Sequence, residues 1–186
     1  MITSSYQPAP GRFLISEPFM EDEHFQRSVV LLVEHGSNGS FGFVINMELQ
    51  TVLSDVIEGI SDRSPLLLGG PVQQDSLHYI HRLGNKIPDS RHVYGDLYWG
   101  GDFDTIKSLL HTSQISQQNI LFIAGYSGWS TGQLSRELER KSWIVAPESV
   151  DQVFAKDRKN LWKMILRGMG SKFQVISNYP TDPRLN

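Results

Sequence analysis

Apolar residues fall in short runs through the first two thirds of the chain and at helical spacing through the last third. Arg12–Ser16 and Ser28–Glu34 are runs rich in Val, Ile and Leu, and residues 35–40, His-Gly-Ser-Asn-Gly-Ser, between the second and the next are dense in turn formers. That order predicts a β-hairpin returning along Phe41–Asn46, with Gly42 marking a bulge or a close backbone approach. Thr51 stands before Val52, Leu53, Val56 and Ile57, a spacing that predicts one short amphipathic helix ending at Gly59. After a loop over Ser61–Pro65, Leu66-Leu67-Leu68 runs into a Gly69-Gly70-Pro71 turn. Leu77–Leu83 and His92–Trp99 alternate as strands, and Asp102 is placed to cap a helix that buries Ile106, Leu109 and Leu110. Asn119–Ala124 is almost wholly apolar, as a strand central to a sheet would be. Beyond it, Ser130 and Gln133 have capping-box spacing before Leu134 and Leu138. Ser142–Ala146 reads as one more strand, and Leu161, Trp162, Ile165, Leu166 and Met169 form a helical apolar stripe. Strands and helices do not alternate regularly, so the expected class is α+β with a mixed or antiparallel sheet.

Length and composition narrow the picture. A chain of 186 residues fits one domain, here 11–186 behind a disordered lead-in at 1–10, and no linker or repeat divides it. Cysteine is absent, which removes disulfides, thiolate nucleophiles and Cys-based metal sites. The N-terminus lacks a secretory pattern and no apolar run approaches the roughly 18 residues of a membrane span, so a cytoplasmic protein with no membrane partner is expected. Net charge is −3, but residues 1–135 carry a balance of −7 and residues 136–172 a balance of +4. That basic segment could face an anionic partner, yet no helix-turn-helix, zinc finger or basic arm accompanies it, and sequence-specific nucleic-acid binding is not expected.

Candidate chemistry is sparse. Gly125-Tyr126-Ser127-Gly128-Trp129 sits where a nucleophile elbow would, but the elbow needs a small residue where Trp129 stands, so a tight turn is the preferred reading. Gly69-Gly70-Pro71 could aim backbone N–H groups at an anion, although it spells neither dinucleotide nor P-loop fingerprints. His78 and His81 would face opposite sides of a strand, and no metal or other cofactor is expected. The leading reading is a non-enzymatic binding or regulatory domain for a protein or small-molecule partner. Its site would draw on Arg27, Ser28, His35, Gly69, Gly70, Pro71, Tyr126, Trp129 and Gln133, residues at strand ends where ligand loops sit. The rival is a hydrolase or transferase in which Asp22, His24 and His35 form a carboxylate–imidazole site.

Residues 25–35, Phe-Gln-Arg-Ser-Val-Val-Leu-Leu-Val-Glu-His, resemble the bacterial YqgE/AlgH family, as do Gly39-Ser-Phe-Gly-Phe-Val-Ile-Asn46 and Gly69-Gly-Pro-Val72. Gly125-Tyr-Ser-Gly-Trp129 with Gly132-Gln-Leu134, and Ser142-Trp-Ile-Val145, extend the resemblance in the same order. It runs from about Gly11 to the Asp182-Pro-Arg-Leu-Asn186 terminus. The resemblance implies a single α+β domain with coiled, partly bifurcated sheets and peripheral helices, in a bacterial cytosolic protein. It implies no agreed catalytic residue, and a transcriptional-regulator label whose effect is expected to be indirect. Ser127 stands where the family commonly has alanine, and Asn46-Met47-Glu48 where it usually has Asn-Arg-Pro.

Overall fold

The computed structural model describes residues 4–180. In chain order the strands and first helices are β1 (Phe13–Ser16), β2 (Val29–Gly36), β3 (Gly39–Val44), β4 (Glu48–Val52), α1 (Leu53–Val56), β5 (Pro65–Leu68), β6 (Val72–His81), β7 (Arg91–Tyr94) and β8 (Leu97–Trp99). They are followed by α2 (Phe103–His111), β9 (Ile120–Trp129), α3 (Gln133–Glu139), β10 (Trp143–Ala146), α4 (Val150–Val153), α5 (Leu161–Gly168) and α6 (Ser171–Ser177). The fold is a single α+β domain. Its ten strands run β10-β1-β2-β3-β9-β6-β8-β7, with β5 branching off against β9 and β4 against β5. All pairings are antiparallel except β5 with β9.

The short apolar runs are explained by burial on both faces. In β1, Phe13 and Ile15 enter one core cluster and Leu14 another. In β2, Val29, Leu31 and Val33 alternate in the same way with Val30 and Leu32. The first cluster lies under α5 and α6 and receives Trp162, Leu166 and Phe173; the other lies under α3 and receives Leu134 with Trp129 and Trp143. A further cluster, with Leu53, Ile106, Ile120 and Phe122, lies under α1 and α2. Trp162 is the largest fully buried side chain, and its indole N–H is satisfied by Ser16 O at 3.0 Å.

β9 joins the parts of the sheet. Its first half pairs with β5 and β6, and Ser127, Gly128 and Trp129 pair with Gly42, Phe41 and Ser40 of β3. The change of partner happens at Gly125, whose φ of 68° and close approach to Val72 O leave no room for a Cβ. Residues 125–129 are therefore strand, not the tight turn expected from their glycines.

Other boundaries also differ from the sequence reading. Glu48–Val52 is a strand, and the helix expected from Thr51 to Gly59 shrinks to α1, because Glu48 and Val52 pair with Leu67 and Pro65. His92–Trp99 is a hairpin, β7 and β8 joined across Asp96 and a left-handed Gly95, instead of one strand. Ser130 is not the helix cap; that position falls to Gly132, while Gln133 Oε1 still reaches back to Ser130 N at 3.0 Å. Gly42 is indeed a close approach, since a Cβ there would collide with Leu31 O, but the bulge lies across from it, between Leu32 and Glu34 of β2. Asp102 caps α2 as expected, accepting Thr105 N at 2.7 Å. From Ser4 onward the lead-in touches the fold: Ser4, Tyr6, Gln7 and Pro8 share a groove with β10, and Tyr6 lies 5.6 Å from the Arg12 guanidinium.

Candidate functional site

A cleft of about 510 Å³ opens where three loops meet: residues 57–64 after α1, 112–119 before β9, and 154–160 between α4 and α5. Each loop is pinned locally. Asp62 Oδ1 accepts Ser64 N at 2.7 Å, Asn119 Oδ1 accepts Ser116 N at 2.8 Å, and Asp157 accepts both the backbone and side-chain N–H of Asn160. Such Asx contacts replace ladder hydrogen bonds where the chain leaves regular structure.

Arg158 lines this cleft with a side chain only 6% exposed. Its Nη1 donates to Ile45 O at 3.1 Å and Val153 O at 3.0 Å, and its Nε lies 3.9 Å from Glu48 Oε1. Burial lowers its pKa and Glu48 opposes the shift; the guanidinium stays cationic because arginine is not deprotonated in proteins. Among the described residues Nη2 has no acceptor. It is not sealed from solvent either, since the sealed, unpartnered side-chain atoms of that set are Arg27 Nε and Ser28 Oγ. A buried cation is therefore fixed by two carbonyls with donors to spare, facing a cleft that also carries Lys156, the hydroxyls of Ser64 and Ser116, and the amides of Gln117 and Gln118. The one carboxylate there, Asp62, is engaged by Ser64 N. Donors outnumber acceptors, and hydrogen bonds from a desolvated guanidinium are among the stronger ones available to a protein.

The residues singled out from sequence lie elsewhere. Gly69 and Gly70 do meet the 125–129 segment, but by packing: Ser127 Oγ donates to Gly69 O at 2.9 Å, Gly69 N donates to Ala124 O at 2.8 Å, and a Cβ on Gly70 would strike Tyr126 O. Pro71 is exposed beside them. Tyr126 packs within an aromatic group, its ring tilted against Phe41 at 4.8 Å. Trp129 is buried, and its indole N–H donates to Glu137 Oε2 at 2.8 Å, while Gln133 donates to Glu137 Oε1 at 2.9 Å. Arg27, with φ of 53°, lays its guanidinium 4.2 Å from the Trp162 ring and donates to Tyr179 O and Pro180 O. Ser28 beside it is fully buried.

Asp22 and His24 are 3.1 Å apart, yet both side chains are about half exposed and the contact stays within one short turn. His35 bonds Ser40 Oγ at 2.7 Å instead of joining them. His81 is buried and bonds Gly100 O, with its pKa lowered by desolvation. Among the described residues no three His, Asp or Glu side chains stand close enough to hold a metal ion, and no helix is long and apolar enough to cross a membrane. Arg158 was visible in the sequence only as one of nine cations in the basic segment. Nothing in the sequence separates it from the others, because its burial depends on contacts with Ile45 and Glu48, more than a hundred residues away.

Comparison with known proteins fits this architecture. A family model described as AlgH-like matches residues 13–174. A UPF0301 protein of Cytophaga hutchinsonii is 46% identical over 95% of this chain and 98% of its own length, and one of Parabacteroides distasonis is 38% identical over 96% and 92%. Among solved structures, a protein of Corynebacterium diphtheriae is similar at 26% identity with a TM-score of 0.77, covering 96% of this chain and 95% of its own. The AlgH protein of Pseudomonas aeruginosa shares the fold at 24% identity and a TM-score of 0.74, covering 96% and 98%.

Proposed function

The chain belongs to the AlgH-like family, and from that premise we propose that it acts by binding instead of catalysis, holding a small anionic ligand in the cleft over Arg158. The observation that carries this reading is a guanidinium 94% buried, as its 6% exposure implies, with an unclaimed nitrogen at a cleft edged by a second cation and two hydroxyls. A buried charge is costly unless its donors are used, and an oxyanion is the natural partner for those that Ile45, Val153 and Glu48 leave over. Carboxylates and phosphates both present acceptors of that kind.

The candidates for catalysis support the same reading. Ser127 Oγ is wholly buried and already donates to Gly69 O, so it is shielded from any substrate. Asp22 and His24 lie on an open surface and not in a cleft that could exclude water. A regulatory effect on transcription would then run through the ligand or a protein partner, without direct reading of DNA.

A thermal-shift panel of mono- and dicarboxylates, phosphate and phosphorylated metabolites tests the proposal. A ligand at a hundredfold excess over its Kd adds about 2.7 kcal/mol of stability. We expect at least one such anion to raise the unfolding midpoint of the wild type by several degrees, and by clearly less in Lys156→Ala and Arg158→Lys. No shift from any anion, or a shift that both variants keep in full, would contradict it.

A further inference from the structure

Away from the Arg158 cleft, a recess of about 230 Å³ lies between β6 and the loops flanking the β7–β8 hairpin. That is below the roughly 300–1,000 Å³ of sites enclosing a drug-sized ligand, so it suits one ring system. Trp99 lines it, with the Arg91 guanidinium 5.2 Å above the indole centroid and Phe41 packed at 5.0 Å. Arg91 is 70% exposed and only its Nη1 is engaged, by Glu34 at 3.1 Å. A Cβ added to Gly100 would meet nothing within 4 Å, so the backbone after Trp99 is bare on the side where a side chain would project.

The recess also offers acceptors. Ser76 Oγ donates to Gln73 O at 2.6 Å and lies 3.0 Å from His78 Nε2. That hydroxyl has one proton, so His78 carries its own on Nε2 and Nδ1 is left as an acceptor. Asp89, exposed at the rim, adds a carboxylate.

From this arrangement we infer that the recess binds a planar heteroaromatic ring of the nucleobase class, supplied by a nucleoside or mononucleotide, stacked on Trp99 in the place now held by the exposed Arg91 guanidinium, which swings outward to cover the ring's other face, with the ring's polar edge toward His78 and Asp89. Stacking supplies affinity for any base face, and the acceptors at His78 and Asp89 match a ring edge that carries N–H donors.

The molecule contains its own reporter. Trp129, Trp143 and Trp162 are 5%, 5% and 2% exposed, whereas Trp99 is half-buried, so a stacked base quenches Trp99 selectively. Tryptophan fluorescence titrated with adenosine, guanosine, uridine and AMP should show saturable quenching that disappears in Trp99→Phe. Calorimetry should find binding in that variant within a few-fold of wild type, because a ring remains to stack on. Arg91→Ala, a change at an exposed side chain that leaves folding intact, should weaken binding about three- to tenfold, the range of a partly desolvated cation–π contact. The inference is overturned by absence of saturable quenching, by quenching unchanged in Trp99→Phe, or by full affinity in Arg91→Ala. It is also overturned if only a single-stranded oligonucleotide binds, which would make the surface a nucleic-acid site. None of these outcomes bears on anion binding at Arg158, which is read by a separate titration.

Discussion

Glu137 holds three donors with two oxygens: the indole N–H groups of Trp129 and Trp143 at 2.8 and 2.7 Å on Oε2, and Gln133 at 2.9 Å on Oε1. Both indoles are 5% exposed, and they meet edge to face at 5.8 Å with Phe25 packed against both. One side chain thus ties α3 to β9 and β10. Glu137→Ala would leave two buried indole donors unpaired, at about 1–3 kcal/mol each, so we expect a loss of about 2–6 kcal/mol in urea unfolding followed by tryptophan fluorescence. Glu137→Gln, whose one carbonyl oxygen can accept both indoles as Oε2 does, should lose clearly less; a cost below about 0.5 kcal/mol for the alanine variant would show that the clip is not structural. Trp129 and Gln133 were conspicuous in the sequence because they stand close together after an apolar strand. Their shared partner was not, since a glutamate on a helix face is ordinarily a solvated one.

At the scale of elements, the bend of β9 decides how the sheet is assembled. Gly125→Ala would place a Cβ 2.8 Å from Val72 O at a φ that L residues rarely adopt. Strain at such positions costs on the order of 1–3 kcal/mol before any clash is counted. We expect a loss of at least about 2 kcal/mol in chemical denaturation; a neutral result would mean that β9 can change sheets without its left-handed residue. The strand itself was legible up to Ala124 because an unbroken apolar run has one good home, between other strands. Its continuation was not, because the glycines over 125–128 that signal a turn in isolation serve here to let backbones approach. The β7–β8 hairpin was missed for a different reason: Gly95-Asp96 is a two-residue turn signal, masked by the aromatic and aliphatic residues that crowd both sides of it. Glu48–Val52 was lost because its polar, half-exposed residues carry little β signal, and only pairing with β5 makes them a strand.

For the whole molecule, charge segregation survives folding. Of the nine cations over residues 136–172, Arg158 is buried and the other eight are exposed, while the preceding residues keep a balance of −7. Such a surface predicts nucleic-acid binding that is weak, sequence-independent and steeply salt-dependent, with each phosphate contact contributing a slope near −0.9 on log–log axes. Fluorescence anisotropy at about 150 mM salt should find no submicromolar complex with random or promoter duplexes, and a hundredfold preference for one sequence would reverse that assignment. The split between one buried cation and eight solvated ones is also what distinguishes the proposed anion site from a merely basic surface. Its most direct measurement is a two-dimensional NMR titration of the ¹⁵N-labelled protein, arginine side chains included, with phosphate and with a dicarboxylate. Saturable shifts are expected at the Arg158 guanidinium and at backbone amides of residues 62–64, 115–118 and 154–158, with Lys163 of α5 and Lys172 of α6 unmoved at moderate salt. Shifts spread over α5 and α6, with Arg158 silent, would contradict it.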